Sequence, residues 1–555
     1  RGADARKQLV VTGETADGWS LDVSSSVSYE CVPEGVVKID SRGFVTPVAN
    51  GEVVVRVVTT GQGDKPVVGE KKLKVENYVD QPVVNFPNQV VPIFTKHGCN
   101  GGGCHGKSGG QNGFRLSLLG FYPTEDHEYL VKEGRGRRIT PAAPGLSLLL
   151  RKALNISPHG GGKRFGEDSY EYRIIHRWMR QGMPYGNAAD LRVERIEVFP
   201  PQRKMPKSST QQLSVTAFYN DGSYEDVTPM ATFEVNDKEM GEVDLKGRVQ
   251  VYDLSGDVAV MVRYQGQVGV FRSTVPLGVE VTNLPEPRNF IDTAVFNKLK
   301  LLGMPPSEAC DDQTFIRRVT IDIAGRLPTA EEAEAFAGDG AEARRDRAIE
   351  RLLESGSYAD YFTNKWAALL RNKKSKATYE LGTFSFHDWL REMIHTNAPY
   401  DQIVRNVVAA SGDLRSNPGV VWYRSVNKTE QQVEDSAQLF LGMRIQCARC
   451  HHHPFERWSQ KDYYSYQAFF SRVGRKKNPD GLADADRVFH NRGKASAKNP
   501  RSGETLSPAG LGGKPLDLTP DSDPRQALVD WMVNPANPFF AKALVNRYWK
   551  HFFGR

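Results

Sequence analysis

No stretch of this chain comes near the roughly 20 consecutive apolar residues that a membrane helix needs. Apolar runs such as Val53 to Val58 are short, and that one is broken by Arg56. Excess charge is lacking too: 73 Lys and Arg against 66 Asp and Glu leave a formal +7, with no basic block beyond short runs such as Arg475, Lys476 and Lys477. Nucleic acid is therefore not implied as a partner, and no membrane span is expected in this chain. There is no phosphate-cradling G-x-x-x-x-G-K-[ST] loop and no G-x-S-x-G elbow, which argues against ATP use and serine hydrolysis. Cysteine is scarce, with six in 555 residues, but four of the six fall in two pairs, each followed at once by a histidine. The other two, Cys31 and Cys310, stand alone in apolar-patterned segments, where a buried thiol is a more ordinary expectation than a mutual disulfide. The sequence starts at Arg1 without a methionine and stops in Phe552-Phe553-Gly554-Arg555. A processed product or excised fragment is expected, with any signal peptide or anchor out of view.

At 39% hydrophobic content over this length, several separate cores are affordable, and three to five domains are expected. Residues 1–78 alternate apolar and polar positions in short runs separated by turn residues such as Asn50-Gly51, which predicts an antiparallel β-sandwich. The same pattern returns over 192–280, in Val193 to Val198, Gln212 to Ala217 and Val258 to Val262. Between them, 82–190 is patterned for helices, notably Ser147 to Leu154 and Tyr172 to Met179. Residues 286–475 are again mainly helical, with Thr329 followed by Glu331 and Glu332 as a helix start. Residues 476–524, rich in Gly, Pro, Ser, Asp and Lys, predict a long linker. Residues 525–555 predict the start of a truncated helical C-terminal domain. The fold class is thus multidomain: two all-β sandwiches alternating with two mainly α domains, a smaller and a larger; the resemblances given below make the sandwiches Ig-like and the smaller α domain cytochrome c-like.

Cys447-Ala448-Arg449-Cys450-His451 is C-x-x-C-H, the attachment sequence of c-type haem. Residues three apart on a helical turn share a face, so both thiols can join the macrocycle while the next imidazole addresses the iron. Cys99-Asn100-Gly101-Gly102-Gly103-Cys104-His105 is a variant with four intervening residues, and its three glycines are expected to supply backbone angles that a wider loop needs. Cys99, Cys104, Cys447 and Cys450 are the candidate thioether donors, with His105 and His451 as metal ligands. The opposite ligand of the first iron is expected from His159, in Ser157 to Phe165, or from Met183, with His159 slightly ahead; methionine raises the reduction potential and histidine lowers it. For the second, His453, His452, His387 and Met443 are candidates. His97 is expected to be solvent-facing or hydrogen-bonded, and His176, on a helix beside Trp178, to be a satisfied core side chain. Zinc is the competing reading of Cys450-His451-His452-His453, and an unmatured Cys99–Cys104 disulfide is the competing reading of the first pair. Asp292, Arg317, Arg318, Asp322 and Trp366 are candidates for a buried network, although ion pairs and helix caps are the commoner roles for such residues.

Several stretches resemble known families. "GVVKIDSRGFVTPVANGEVVVRV" and "LSVTAFYNDGSYEDVT" resemble the group-two bacterial Ig-like family. "HGCNGGGCHG", "SLLLRKAL", "PHGGGKRF" and "WMRQGMP" stand in the order of the planctomycete-type cytochrome c domain. "CARCHHHPFERWSQKDYYSYQAFF" and the tail ending "NRYWKHFFGR" resemble the cytochrome-associated domains of unknown function. The resemblance implies an extracytoplasmic protein, periplasmic, cell-surface or secreted, with two covalently attached haems c and a role in electron transfer. It implies an unknown redox partner protein and polysaccharide or cell-surface contact through the Ig-like parts. A haem-dependent redox enzyme acting on carbohydrate and a glycan-binding adhesion protein stand as alternatives, and whether the chain is an enzyme is left open.

Overall fold

The structure is a computed structural model that describes residues 2–60, 66–78, 82–107, 109–187, 190–340, 343–451, 456–477 and 486–554. It forms two compact units, Arg1–Ser307 and Glu308–Arg555, the first rich in sheet and the second helical.

In the first unit, strands Ser28–Val32, Gly51–Thr60 and Pro66–Val75 form an antiparallel sheet, and Lys7–Gln8, Phe44–Pro47 and Val37–Ile39 form another. Their inward residues Val36, Val37, Val45 and Val53 share a small core with Leu9, Cys31 and Leu73. Cys31 is a free, half-buried thiol, as is Cys310, so both are less covered than their apolar surroundings in sequence suggest. The later strands are longer. Gly256–Tyr264 pairs with Gln267–Val275 through nine residues, and Val258, Val260 and Val262 all point into the core. That is the period-two alternation of a sheet with one buried face.

Helices α1 (Val91–Lys96), α2 (Pro123–Val131), α3 (Leu148–Ala153) and α4 (Tyr170–Arg180) lie between these sheets in sequence. α4 starts at Ser169, whose side chain accepts from the N–H of Tyr172, and it buries Ile174, Ile175, Trp178 and Met179 on one face. The separate cores expected for 82–190 and 192–280 are not what forms. Ile93, Phe94 and Trp178 belong to one continuous cluster with Val215, Val260 and Phe271. Lys96 crosses that junction, donating to the carbonyls of Ala231 and Leu245, and burial pushes its ammonium down to about 8. Six-residue helices such as α1 and α3 cannot cover their own apolar faces, and the neighbouring sheet does so.

The second unit is built from helices that the periodicity anticipates, among them Ala330–Gly338, Thr429–Leu441 and Pro524–Val533. Its main core gathers Phe386, Trp422, Tyr423, Phe440, Tyr463, Tyr466, Phe469 and Phe470. The expected linker is more ordered than its composition suggests. Val473–Lys476 pairs with Arg487–His490 and Ala497–Lys498 with Thr505–Leu506, while Val488, Leu506 and Leu511 join the core. Apolar residues spaced between Gly and Pro turns suffice to anchor a segment that has no periodicity of its own.

Candidate functional site

The first cysteine–histidine motif is a loop closed by backbone hydrogen bonds. α1 ends in a left-handed turn at Gly98 (φ +68), where the N–H of Cys99 reaches the carbonyl of Phe94 at 2.8 Å. The N–H of His105 then returns to the carbonyl of Cys99 at 3.0 Å, which sets the first thiol-bearing residue beside the histidine despite the longer spacing. Gly101, Gly102 and Gly103 do not carry the unusual angles expected of them; none has a positive φ. The obligatory glycine is Gly106, where a Cβ would stand 2.0 Å from the carbonyl oxygen of Asn100. Both thiols are free, and burial pushes that of Cys99 up to about 11.

His105 is fixed from one side. Its Nδ1 lies 3.0 Å from the carbonyl oxygen of Phe114, so Nδ1 carries the proton and Nε2 keeps its lone pair. His159, reached after α3, is held in the same way: its Nδ1 is 2.9 Å from the carbonyl of Gly162, whose φ of +69 shapes the turn. The two imidazoles come together with centroids 6.5 Å apart and planes 6° from parallel. Burial pushes His105 below the ordinary imidazole value; the Phe114 bond opposes this, while His159, Arg138 and Arg164 push the same way as burial. A neutral imidazole with one nitrogen tied to a carbonyl is the form that ligates metals.

Two imidazoles on opposite sides of one metal, each with a metal–nitrogen bond of about 2 Å, have ring centroids about 6 to 6.5 Å apart. The His105–His159 centroids stand at that separation, with the two rings in stacked, nearly parallel planes. Among the described residues, no three of His, Cys, Asp and Glu close on a single ion. The buried thiol of Cys99 also disfavours the thiolate that zinc requires. The donor types gathered here, two thiols and two imidazoles, are those that a covalently attached porphyrin would use. The other candidates are engaged elsewhere. Met183, in a left-handed conformation (φ +58), packs against the core, and its carbonyl accepts from Nε2 of His127 at 2.8 Å. His97 pairs with Glu171 at 3.2 Å, and His176 lies against the ring of Tyr172.

Cys447 lies within the short 3-10 helix Gln446–Arg449 and Cys450 caps its end; the helix follows the left-handed cap Gly442 of helix Thr429–Leu441. Ala448 and Ile445 face inward and are fully buried, leaving both thiols exposed. Tyr464 and Gln460 donate to the carbonyl of Arg449 and fix the turn from beneath. The backbone N–H groups of Cys450 and His451 both reach the carbonyl of Cys447 at 3.2 Å. His452 and His453 lie outside the described residues. His387 meets Asn364 at 3.3 Å, and Met443 packs against the core. The proposed network residues have local roles: Asp292 accepts from the N–H of Arg288, Arg317 and Arg318 are exposed, the carbonyl of Asp322 contacts His551, and Trp366 donates to the Tyr548 hydroxyl.

Arg138 and Arg164 were not singled out from sequence. Arg138 donates to the carbonyls of Tyr129, Glu133 and Gly113 and lies 4.8 Å over the Phe114 ring. Arg164 sits in the "PHGGGKRF" run, but nothing in its spacing relates it to Cys99 or His105.

Family comparison speaks to the C-terminal part. Residues 290–475 match PSCyt2, "Protein of unknown function (DUF1549)", and residues 524–555 match PSD1, "Protein of unknown function (DUF1553)". Both belong to the planctomycete-type, cytochrome-associated domains. No model of a cytochrome c or Ig-like domain matches, so those two resemblances find no support there. No curated protein matches the chain. Among solved structures, "Crystal structure of the S-layer protein SbsC domains 4 and 5" is 11% identical, with 48% of this chain and 80% of that one covered and a TM-score of 0.14. "Structure of surface layer protein SbsC, domains 4-9" is likewise 11% identical at TM-score 0.14, with 50% of this chain covered but only 27% of that one. TM-scores this low establish no shared fold. No helix among the described residues is long and apolar enough to cross a membrane.

Proposed function

We propose that this chain is an extracytoplasmic multidomain c-type cytochrome with two covalently attached haems, working in electron transfer with a separate redox partner protein. The observation that carries this reading is the His105–His159 pair, two Nδ1-tethered imidazoles 6.5 Å apart and nearly parallel beside Cys99 and Cys104. When bound, the haem supplies a one-electron couple at iron. The chain's own residues then do the rest. Cys99 and Cys104 would hold the macrocycle through thioether links. The Phe114 and Gly162 carbonyls fix the two tautomers, and Phe114 covers the ring of His105 at 4.5 Å. With His105 and His159 as its ligands, the couple would lie at lower potential than with a histidine–methionine pair.

The second haem belongs to Cys447, Cys450 and His451, whose exposed thiols are open to the attachment machinery. The cytochrome-associated family match over 290–475 supports this placement. Surface or polysaccharide contact is assigned to the sheet-rich N-terminal part.

The test is the full chain matured in an oxidising compartment with haem-attachment machinery, read by pyridine haemochrome spectrum and intact mass. Two porphyrins per polypeptide, retained through acidic organic extraction, are expected. Removing Cys99 and Cys104 together should leave one. Colourless protein, or pigment that extracts freely, sinks the reading.

A further inference from the structure

The two sheet segments of the first unit repeat one another around a single turn. Gln8, Val11, Asp22, Ser24 and Arg42 have counterparts 204 residues later in Gln212, Val215, Asp226, Thr228 and Lys246. Their bonds repeat as well. Oδ1 of Asp22 accepts from the N–H and the hydroxyl of Ser24 at 3.0 and 2.6 Å, and Oδ1 of Asp226 accepts from the same groups of Thr228 at 3.0 and 2.6 Å. The Ser24 and Thr228 hydroxyls in turn accept from the N–H of Val11 and of Val215. The Gln8 and Gln212 side chains donate to the carbonyls of Arg42 and Lys246 at 2.7 and 2.8 Å.

The second oxygen of each aspartate reaches out of its own segment. Oδ2 of Asp226 accepts from the N–H of Gln8 at 2.9 Å, and Oδ2 of Asp22 accepts from the N–H of Gln212 at 2.6 Å. Gln8 thus meets the counterpart of Asp22, while the counterpart of Gln8 meets Asp22. Such reciprocity marks a two-fold, isologous interface, ordinarily found between identical subunits. Here both halves belong to one chain. Gln8, Gln212 and Asp226 are buried, so water competes little for these bonds. The apolar cores stay apart: Val36, Val37, Val45 and Val53 form one cluster, and among the described residues none of 1–78 joins the cluster of Val215, Val249 and Val260. Other bonds across the junction are polar too, Arg42 to Asp244 at 2.8 Å and Arg203 to the Thr12 hydroxyl at 3.1 Å. Polar contact between separate cores is the way docked modules meet.

We propose that Gln8 with Asp22, and Gln212 with Asp226, form a self-recognition surface whose partner is another segment of the same kind, and that 1–78 is a separable module held by it on 192–280 of its own chain. A carboxylate accepting from a backbone N–H makes a charge-assisted bond. Because the other oxygen of each aspartate is tied to Ser24 or Thr228, the acceptor is aimed only when its own segment is folded. The chain linkage keeps the two halves at high effective concentration.

The test is the full chain carrying a specific protease site between residues 78 and 82, cut after folding and followed by size-exclusion chromatography and by the rate at which the 1–78 piece leaves. The cut wild type should elute as one species, and its piece should exchange with that of a labelled, likewise cut chain. Asp22→Asn and Asp226→Asn keep an oxygen for the Ser24 or Thr228 turn but set an amide N–H against the glutamine N–H. Each should speed loss of the piece by a similar factor, about tenfold, and the two together by about the product, because the bonds share no partner. Ser24→Ala, which removes a bond inside one segment, should lower the melting temperature and leave that rate near the wild-type value. Separation of the cut wild type at once overturns the proposal. So does an effect confined to one aspartate, since a two-fold surface weights both alike, and so does equal acceleration by Ser24→Ala, which would make lost folding the cause. Unchanged retention in both aspartate variants overturns it as well, and assigns the hold to Arg177 with Asp4 and to Arg6 over the Tyr170 ring.

Discussion

At the scale of single residues, what distinguishes His159 from Met183 is orientation. Both are preceded or followed by glycines, and both stand in loops that sequence alone allows near His105. Only His159 has its ring parallel to that of His105 and its Nδ1 tied back to a carbonyl. In haem-loaded protein, His159→Ala should open the sixth coordination position of the first iron and convert its spectrum from low to high spin, while Met183→Ala should leave it low spin. Absorption and electron paramagnetic resonance spectra check this, and the reverse pattern would assign the ligand to methionine. Gly106 offers a second test. A methyl group there meets the Asn100 carbonyl, a backbone atom that cannot swing aside. Gly106→Ala should cost about 1 to 3 kcal/mol, read by denaturant unfolding, because overpacking forces the loop to shift. Gly103→Ala, with nothing within 4 Å of its Cβ position, should cost far less. The three central glycines read from sequence as the flexible part of the motif; the close approach that demands glycine is one position after the histidine.

At the scale of elements, helix starts were the most legible feature of the chain. Thr329 accepts from the N–H of Glu332 while Glu332 reaches back to the N–H of Thr329, a complete capping box at the start of Ala330–Gly338. Thr329→Ala should destabilise this helix by about 1 kcal/mol, visible as faster amide exchange confined to its first turn. Arg326 grips the Glu332 carboxylate with both terminal nitrogens and holds it down to about 2. A carboxylate with a depressed folded value contributes stability that is present above its unfolded value and lost as pH falls through the folded one. Protection of the same amides should therefore decline between about pH 4.5 and 2, and Arg326→Ala should move that decline to higher pH. This partly exposed pair has a modest effect. Such starts are legible because donor, acceptor and spacing all lie within four residues. The pairing of Ala497–Lys498 with Thr505–Leu506 was not, since the partners are separated by a turn that the composition describes but does not order.

At the scale of the molecule, many phenols are buried. Burial and the nearby Asp22 and Asp40 push Tyr29 up to about 12, and burial also raises Tyr264 and Tyr466, as it does Tyr423 against the pull of Arg525. Each stays protonated in the folded chain after its unfolded counterpart, near pH 10, has lost its proton. The folded state then binds more protons, so stability is full below pH 10 and falls as pH rises through the folded values. Thermal unfolding should shift to lower temperature steeply above pH 10 in both units, with tyrosinate absorbance appearing together with loss of structure. Tyrosinate that titrates smoothly at pH 10 without unfolding would contradict the burial.

Sequence by itself determined many of the elements and the adjacency of thiol and imidazole in the two cysteine–histidine motifs, because both are local: periodicity, caps and that adjacency need only neighbours in the chain. Tertiary structure decided the rest. It placed His159 against His105 across 54 residues and merged the helices of 82–190 with the following sheets into one core. Those outcomes depend on which apolar faces cover one another, a choice made by the whole chain at once that no stretch of spacing encodes.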